Sequence, residues 1–378
     1  MTKTALVIGG TGPTGPHIVE GLFARGYSVA MLHSGRHEVA SMSRHVEHLH
    51  TDPFDAAAVS ATLATRTFDL AIVTYGRLNN SAALLHDRVG KFVSIGAFAA
   101  YRGAVSPDPF AKPPGTRTPI REDARLASSK PGIDGANSKL AHIVQAEQAV
   151  FAHHPSATHF RYSMLYGPRH PRPFDWMIVR RALDRRREII LPDGGITLRS
   201  RAFARNAAAA VMCALDCPQP AAGETFNVSD EWTPTLGQLV EMIGGCLGHA
   251  FEIVSMPYEL ATPSHPFLLH GDSDHRVTPP DKIRRTLNYR DVVDVETAVT
   301  TTARWLAAHR LTAAQEAPLG DPFDYDTEDR LIATWRKVMS RFDESAPRLD
   351  LTFQPRYSAR YDRIKQSQAQ LNDPRDVV

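Results

Sequence analysis

The sequence predicts an α/β protein built on a doubly wound parallel sheet, followed by a smaller C-terminal part and a C-terminal extension. Apolar runs of strand length alternate with amphipathic helical segments from residue 5 to residue 162, the order that parallel sheets require. The first apolar run also leads through a glycine-rich turn directly into a helix. Beyond residue 162 the strand and helix signals become shorter and mixed, and from about Leu311 the character of the chain changes again.

The first predicted strand, residues 5–8, is followed by glycines with the spacing G-x-x-G-x-x-G and by a helix over residues 17–25. Glycines there let the backbone approach a pyrophosphate, and the helix N-terminus offers N–H groups and partial positive charge. The pattern therefore predicts the phosphate-binding corner of a Rossmann-type sheet; the alternative is a plain strand-to-helix turn. The predicted cofactor contacts are Gly9, Gly10, Thr11, Gly12, Pro13, Thr14 and Gly15.

The second predicted strand, residues 27–32, ends at the sequence His-Ser-Gly-Arg, which contains Ser34 and Arg36. An acidic residue at this place would bond the ribose hydroxyls of NAD, and none is present. A serine and an arginine instead suit a 2′-phosphate, so we predict NADP as the cofactor and NAD as the second choice. The alternative for Arg36 is a solvated loop arginine.

Residues 45–50 form a short predicted strand that contains His45, His48 and His50. Alternation places Val46 with His48 and His50 on one face, and neither face is cleanly apolar. Because no fourth ligand lies at a recognisable spacing, we predict a strand here and no metal site. Asp52 closes the strand and is expected to meet the adenine edge of the cofactor.

The remaining elements continue the alternation. Helices are predicted at 56–64, 78–89, 139–153, 174–187, 202–216, 235–247, 295–309 and 327–342, and strands at 69–76, 91–95, 158–162 and 225–228. Tyr75 and Gly76 end one of these strands and are expected at the cofactor cleft. Residues 106–131, rich in proline and charge, predict a long functional loop. The helix at 327–342 carries an apolar stripe.

Composition excludes several classes. The net charge of +2 over 378 residues gives no global field for nucleic acid or membrane binding, and no apolar run reaches membrane-spanning length. Because the N-terminus enters a strand at once, no signal peptide is predicted, and a cytoplasmic location is expected. The cysteines, Cys213, Cys217 and Cys246, are odd in number and predicted to be buried thiols in a reducing compartment.

The motifs together resemble the extended short-chain dehydrogenase/reductases, the NAD-dependent epimerase/dehydratase group, over about Thr4 to His309. The resemblance rests on the glycine motif, the small-residue segment 94–103, Ser138–Lys139, Arg161 with Tyr166-Gly167-Pro168, and residues 223–228. It implies a dinucleotide-binding domain at 1–170, completed by parts of 202–230, and a substrate-binding part at 171–310. Residues 311–378 form an extension outside it.

The resemblance also implies catalytic roles, and this chain fills only one of three. Lys139 matches the lysine that binds the nicotinamide ribose and lowers the pKa of the catalytic tyrosine, but that tyrosine position holds Gly135. The position of the serine that orients the substrate oxygen holds Ala97. The predicted substitutes as proton donors are Tyr101 and Asp134, with Tyr75 and Tyr166 as further candidates.

On the substrate side, the resemblance implies that Arg199 grips a diphosphate; the alternative is a surface arginine. Met164 stands where nucleotide-sugar members carry asparagine, two residues before Tyr166, and Met164 and Tyr166 are the other predicted substrate contacts. Asn206 replaces the usual aspartate of the following motif.

Two functions follow as hypotheses. The first is an NADP-dependent oxidoreductase or epimerase-like enzyme acting on a small molecule or sugar derivative, as a homodimer. The second is a non-catalytic dinucleotide-binding or RNA-binding scaffold. The basic run 180–187 lacks interleaved aromatic residues, so nucleic acid is the less favoured partner.

We expect Arg36→Ala to weaken NADPH binding roughly 10- to 150-fold, because a charge-assisted hydrogen bond contributes about 1.5–3 kcal/mol. NADH affinity should stay nearly unchanged. Titration calorimetry with both cofactors measures this, and equal affinity of the unmutated protein for the two would contradict the prediction.

Overall fold

The computed structural model describes residues 2–35, 45–74, 78–105, 115–133, 137–269 and 271–347. It divides the chain into two compact units, residues 1–328 and 329–378. The first unit contains every strand and most helices. Its strands are β1 Lys3–Ile8, β2 Tyr27–His33, β3 Glu47–His50, β4 Phe68–Thr74, β5 Val89–Ala97, β6 Thr158–Tyr162, β7 Met164–Tyr166, β8 Glu188–Pro192, β9 Arg201–Phe203, β10 Thr225–Val228 and β11 Glu252–Met256.

The helices that surround these strands vary from one turn to six. They are α1 Gly15–Phe23, α2 Ala56–Leu63, α3 Leu78–Leu84, α4 Ser138–His153, α5 Trp176–Leu183, α6 Ala204–Asp216, α7 Pro218–Ala221, α8 Leu236–Cys246, α9 His265–Leu268, α10 Asp281–Leu287, α11 Val295–Ala308, α12 Ala313–Glu316 and α13 Tyr325–Ser345.

A seven-stranded sheet with the order β10-β6-β5-β4-β1-β2-β3 forms the centre of the first unit. All of its neighbouring strands pair in parallel, so the predicted doubly wound parallel sheet is confirmed. The strand order reverses between β1 and β4. In such sheets the crevice for a ligand opens at the carboxyl ends of the strands beside this reversal.

The sheet is buried on both faces, which explains why its strands are continuous apolar runs rather than alternating ones. On one face Val7 of β1 packs in a cluster with Ile18 of α1 and Val211 of α6. On the other face Leu6 packs with Leu63 of α2 and Val150 of α4. Adjacent residues of β1 thus hold the two helical layers to opposite sides of one strand.

A second core lies in the smaller part of this unit, between α5, α8 and α11 and the parallel pair of β8 with β11. The sequence reasoning missed β7, β8, β9 and β11 because each has only three to five residues and too little periodicity to be distinguished from loop. It also overextended two helices: α3 ends at Leu84, not residue 89, and α5 spans Trp176–Leu183, not 174–187.

Helix ends that rest on side-chain caps were predicted more accurately. Thr235 begins α8 with a capping box, in which its hydroxyl accepts from the N–H of Gln238 while the Gln238 side chain accepts from Thr235 N–H. Asn206, which departs from the family motif, is buried. Its side-chain oxygen accepts hydrogen bonds from the backbone N–H groups of Val292 and Val293 and so fixes that segment against α6.

The three cysteines are free, as predicted, but half-buried rather than buried, since each lies at or near the end of a helix. Across the described part of the chain, no helix is both long and apolar enough to cross a lipid bilayer. The prediction of a loop at 106–131 holds where it can be followed, at 115–131, which contains no helix or strand.

Arg181 of α5 is 2% exposed and binds two buried carboxylates from the chain after α12. Its Nη1 donates to Asp321 at 2.6 Å and its Nη2 donates to Glu328. Residues 311–328 therefore belong to the first unit, although the predicted extension begins at 311. The division into domains at 170 and 310 and the packing of the apolar stripe of α13 stay predictions.

We expect Arg181→Met to lower the free energy of unfolding by about 3–5 kcal/mol, because it leaves two carboxylates buried without their cation. Arg187→Met is the matched control, since the Arg187 side chain is 85% exposed in its pair with Glu252 and should change stability by under about 1 kcal/mol. Urea denaturation measures both variants. Equal free energies of unfolding for the two variants would contradict a stabilising role of the buried ion pairs.

Candidate active site

The glycine turn after β1 is shaped by two close backbone approaches. Gly9 has φ +82°, and a Cβ there would lie 2.4 Å from the Thr74 hydroxyl oxygen, which itself donates to the Ile8 and Gly9 carbonyls. A Cβ at Gly15 would lie 1.7 Å from the carbonyl oxygen of Gly10. These two glycines are therefore required for the contact between β1, β4 and the start of α1.

Gly12 differs from its neighbours because a Cβ built on it meets nothing within 4 Å. It lies between two fixed points: its carbonyl accepts from the N–H of Gly15, and Thr14 occupies the N-cap position of α1. Gly12 lies just before the N-terminus of α1, where the partial positive charge of the helix collects. This combination of open space and helix N-terminus fits a phosphate group.

The adenosine end of the predicted cofactor site lies at the carboxyl ends of β2 and β3, which pair in parallel with His33 opposite His50. Ser34 is exposed directly after β2, and Asp52 is exposed two residues after β3, where its side chain accepts from the N–H of Phe54 at 2.9 Å. Arg36, Tyr75 and Gly76 lie outside the described residues.

The sequence reasoning missed His33, which β2 places beside His48 and His50 of β3. It considered His45 to His50 alone, and the parallel register that adds a histidine from the preceding strand is not visible in one segment of sequence. A search for histidines at the carboxyl ends of consecutive predicted strands could have found it.

Lys139 lies exposed in the first turn of α4. Asn137 caps this helix by accepting from the N–H of Leu140 at 3.0 Å, so the position of the lysine is fixed by a local cap. Asp134 and Gly135 lie outside the described residues. Ala97 is the last residue of β5, and Ser94, three residues earlier, is fully buried with its hydroxyl 2.7 Å from His159 Nδ1.

Tyr101 is placed differently from what a proton donor needs. Its side chain is 1% exposed, its hydroxyl donates to the Asn227 side chain at 2.6 Å, and its ring lies under the guanidinium of Arg161. Burial raises the pKa of Tyr101 to about 12, with Arg161 opposing the shift. The prediction of Tyr101 as a catalytic acid is therefore corrected to a structural role, because its proton is held inside the core.

Arg161 and Glu147 form the buried ion pair beneath this tyrosine. Two guanidinium nitrogens of Arg161 donate to the two carboxylate oxygens, at 3.0 and 2.5 Å. His159 Nε2 lies 3.3 Å from the same carboxylate. Burial alone would raise the pKa of Glu147, but the hydrogen bonds from His159 and Arg161 lower it to about 2. Ser94, His159 and Glu147 thus follow one another as in a nucleophilic triad, yet all are buried and serve as scaffold.

Arg199 and Arg201 lie two residues apart in extended backbone and line the same small, partly open cleft, together with Met164. The Arg199 side chain is 10% exposed; its Nη2 donates to the Asp272 carbonyl, whereas its Nε and Nη1 have no partner among the described residues. Arg201 donates through Nη2 to Asp175 at 2.6 Å, and its Nε and Nη1 are likewise buried and unmatched within the described chain.

The charge of Arg199 is poorly compensated. The Asp272 carboxylate is bound by two nitrogens of Arg276, at 2.5 and 2.8 Å, and lies 3.6 Å from Arg199. Burial and the neighbouring Arg276 lower the pKa of Arg199 to about 10, although Asp272 opposes the shift. Arg199 therefore stays cationic at neutral pH, while the carboxylate nearest to it is already bound by Arg276.

Met164 and Arg199 also line a second small cleft, which reaches Phe98 directly after β5. The arginine region is thus connected to the carboxyl edge of the central sheet. Tyr166 is 4% exposed and its ring lies under the Arg201 guanidinium, 3.9 Å away. Burial raises the pKa of Tyr166 well above 10, so it is poorly suited to donate a proton.

The model of the NAD dependent epimerase/dehydratase family matches residues 5–229 of the chain. No curated protein matches the chain significantly. Among solved structures, UDP-glucose 4-epimerase from Thermotoga maritima with UDP-glucose is 17% identical with a TM-score of 0.63, over 81% of this chain and 99% of that chain.

Two further similar structures were solved with NAD. The enzyme WbmG from Bordetella bronchiseptica is 14% identical with a TM-score of 0.63, over 82% of this chain and 95% of that chain. The dTDP-glucose 4,6-dehydratase from Bacillus anthracis is 15% identical with a TM-score of 0.61, over 84% of this chain and 99% of that chain. At these identities the likeness establishes the fold.

The different surroundings of Gly12 and Gly15 give a paired prediction. We expect Gly12→Ala to fold normally and to bind dinucleotide at least about tenfold more weakly, because its methyl group fills space that a pyrophosphate would need. Gly15→Ala should lower the melting temperature, since its methyl group meets the Gly10 carbonyl. Calorimetric titration and thermal unfolding measure the two effects. Unchanged dinucleotide affinity of Gly12→Ala would contradict the prediction that the cofactor binds at this turn.

Proposed function

Because the chain belongs to the NAD dependent epimerase/dehydratase family, we propose that it is an NADP-dependent oxidoreductase or epimerase-like enzyme. Its substrate is a small molecule or sugar derivative that carries an anionic group such as a diphosphate. The observation that carries the substrate class is the pair of buried arginines, Arg199 and Arg201, with four unmatched guanidinium nitrogens at one cleft.

Unmatched buried guanidinium groups are costly, and an anionic ligand that accepts their hydrogen bonds offsets that cost. Guanidinium forks match the geometry of phosphate oxygens, and two of them can hold both phosphates of a diphosphate. UDP-glucose in the epimerase from Thermotoga maritima is a ligand of this chemical kind. We propose that the rest of the substrate extends from Arg199 toward Phe98 and the sheet edge, since both residues line the second cleft.

The cofactor half of the proposal rests on the open space before Gly12 and on the NAD bound by WbmG and by the dehydratase from Bacillus anthracis. Bound there, the nicotinamide group supplies hydride transfer. Lys139 would hold the nicotinamide ribose, Gly9 to Gly15 the pyrophosphate, and Ser34 with Arg36 the 2′-phosphate. The choice of NADP over NAD, the contacts of Asp52 and the homodimer belong to this proposal.

The chain lacks the family's tyrosine and serine at Gly135 and Ala97, and Tyr101 and Tyr166 are buried. A positioned acid–base group typically supplies about 10²–10⁴-fold in rate. We therefore propose a substrate that needs little proton transfer from the protein, such as an iminium or activated alkene, or one that carries its own acid. Asp134 stays a candidate donor from sequence.

The same vacant positions favour a second candidate, a dinucleotide-binding protein without turnover. RNA binding gains less support, because Arg180 pairs with Glu316 and Arg181 pairs with Asp321 and Glu328. Part of the positive charge of the basic run 180–187 is therefore neutralised by ion pairs within the chain and is not available to phosphates.

We expect NADP(H) to bind, and a panel of nucleotide sugars, ketones, imines and enones to contain a compound that is turned over. Arg199→Met should weaken the anionic substrate roughly 10- to 150-fold, equivalent to about 1.5–3 kcal/mol. Arg187→Met, which changes an exposed arginine elsewhere, should leave affinity unchanged. Cofactor absorbance and substrate titration measure these effects.

The outcomes separate the candidates. Dinucleotide binding without turnover of any panel member would support the binding protein instead. Equal substrate affinity of Arg199→Met and Arg187→Met would contradict the arginine cleft as the anion site. Absence of dinucleotide binding would contradict both functions.

A further inference from the structure

Three imidazole rings, His33, His48 and His50, converge at the carboxyl edge of β2 and β3; we name them the three-histidine cluster. One ligand nitrogen from each lies within 4.8 Å of the other two. His33 Nε2 and His48 Nδ1 are 2.9 Å apart. The ring centroids lie 4.8–6.1 Å from one another, in edge-on arrangements.

The backbone enforces this convergence. Residues two apart on a strand share one face, so His48 and His50 point to the same side of β3. The parallel register places His33 opposite His50, and paired residues of neighbouring strands also share a face. The cluster therefore follows from strand geometry, whatever the rotamers of the exposed rings.

The three rings differ in solvent exposure in a way that suits metal ligation. His33 is 3% exposed, and its Nδ1 accepts from the Gly35 N–H at 3.2 Å, so its Nε2 is the nitrogen that faces His48. His48 and His50 are exposed to solvent. One buried ring thus sets the position of the cluster, and the two other rings can be reached from solvent.

We propose that the three-histidine cluster binds a transition-metal dication that prefers imidazole ligands, with Zn²⁺ as the first choice. Imidazole nitrogen suits zinc, copper and nickel, whereas magnesium and calcium require oxygen ligands. Three protein ligands leave a fourth tetrahedral position open to water or another small ligand. The proposal concerns the apoprotein and metal alone and does not depend on cofactor binding.

Binding requires a small rearrangement. Zinc–nitrogen bonds of about 2.0–2.1 Å in a tetrahedral site place ligand nitrogens about 3.4 Å apart. Because the ligand nitrogens lie within 4.8 Å of one another, any separation above about 3.4 Å must shorten by at most about 1.4 Å, through rotation of the rings. Zn²⁺ binding through His33 Nε2 displaces the proton that lies between His33 and His48. That proton moves to Nδ1 of His33, which then no longer accepts from the Gly35 N–H.

The test uses full-length protein without a polyhistidine tag. Calorimetric titration with ZnCl₂ should give one equivalent per chain, and X-ray absorption of the loaded protein should show nitrogen neighbours at about 2.0–2.1 Å with imidazole scattering. His48→Gln and His50→Gln should each weaken Zn²⁺ binding at least about tenfold. Because both side chains are exposed, both variants should keep the melting temperature of the metal-free protein.

His45→Gln is the matched control, since it removes an exposed histidine that lies three residues before His48 and is outside the cluster. It should leave Zn²⁺ affinity unchanged. The proposal is overturned if the unmutated protein binds no stoichiometric Zn²⁺, or if the His48→Gln/His50→Gln double variant binds it as tightly as the unmutated protein. A loss in His45→Gln equal to that in His48→Gln would point to a different ligand set and would also overturn it.

Discussion

The buried ion pair between Arg161 of β6 and Glu147 of α4 holds the candidate active site together. Neither residue is more than 6% exposed, and burying two charges is tolerated only when their hydrogen bonds are satisfied. Here they are: Arg161 also donates to the Glu122 carbonyl, and Glu147 also contacts His159. Removing Glu147 would leave Arg161 buried without a counter-charge, and removing Arg161 would leave Glu147 with His159 as its remaining side-chain partner.

This pair extends into a network that links distant segments. Tyr101, stacked on Arg161, donates to the side chain of Asn227 in β10. The Asn227 side chain in turn donates to the Ile120 carbonyl, and its backbone N–H donates to the Glu122 carboxylate. The loop around 115–131, which has no regular structure of its own, is thus fixed against the sheet edge by polar contacts. Burial raises the pKa of Glu122, whereas the hydrogen bonds from His159 and Arg161 lower the pKa of Glu147. One network thus shifts the pKa values of two carboxyl groups in opposite directions.

How far the sequence could predict this structure depends on the range of each interaction. The seven-stranded sheet and the cap at Thr235 were predictable because they follow from apolar runs and from hydrogen bonds within four residues. The site was predictable only in part. The resemblance predicts Arg199 as an anion contact, which stays a prediction, whereas Arg201 was not considered, because only the folded backbone shows that both arginines line one cleft. Tyr101 was misassigned since nothing local in its sequence reveals a partner 126 residues away.

The buried charges of this chain fall into two groups: those whose partners are all present in the protein, and those whose hydrogen bonding is incomplete. Around Glu147 and Arg181, every buried cation has its carboxylates, and the contacts contribute to folding. Around Arg199 the hydrogen bonding is less complete, since Arg276 already holds Asp272 and four guanidinium nitrogens of Arg199 and Arg201 lack hydrogen-bond partners within the described chain. Such a site lowers the stability of the ligand-free protein and becomes favourable only when an anion binds. The cost is therefore localised where binding free energy can offset it, which is the physical reason to place the substrate at the arginines rather than at the better-satisfied polar network beneath Tyr101.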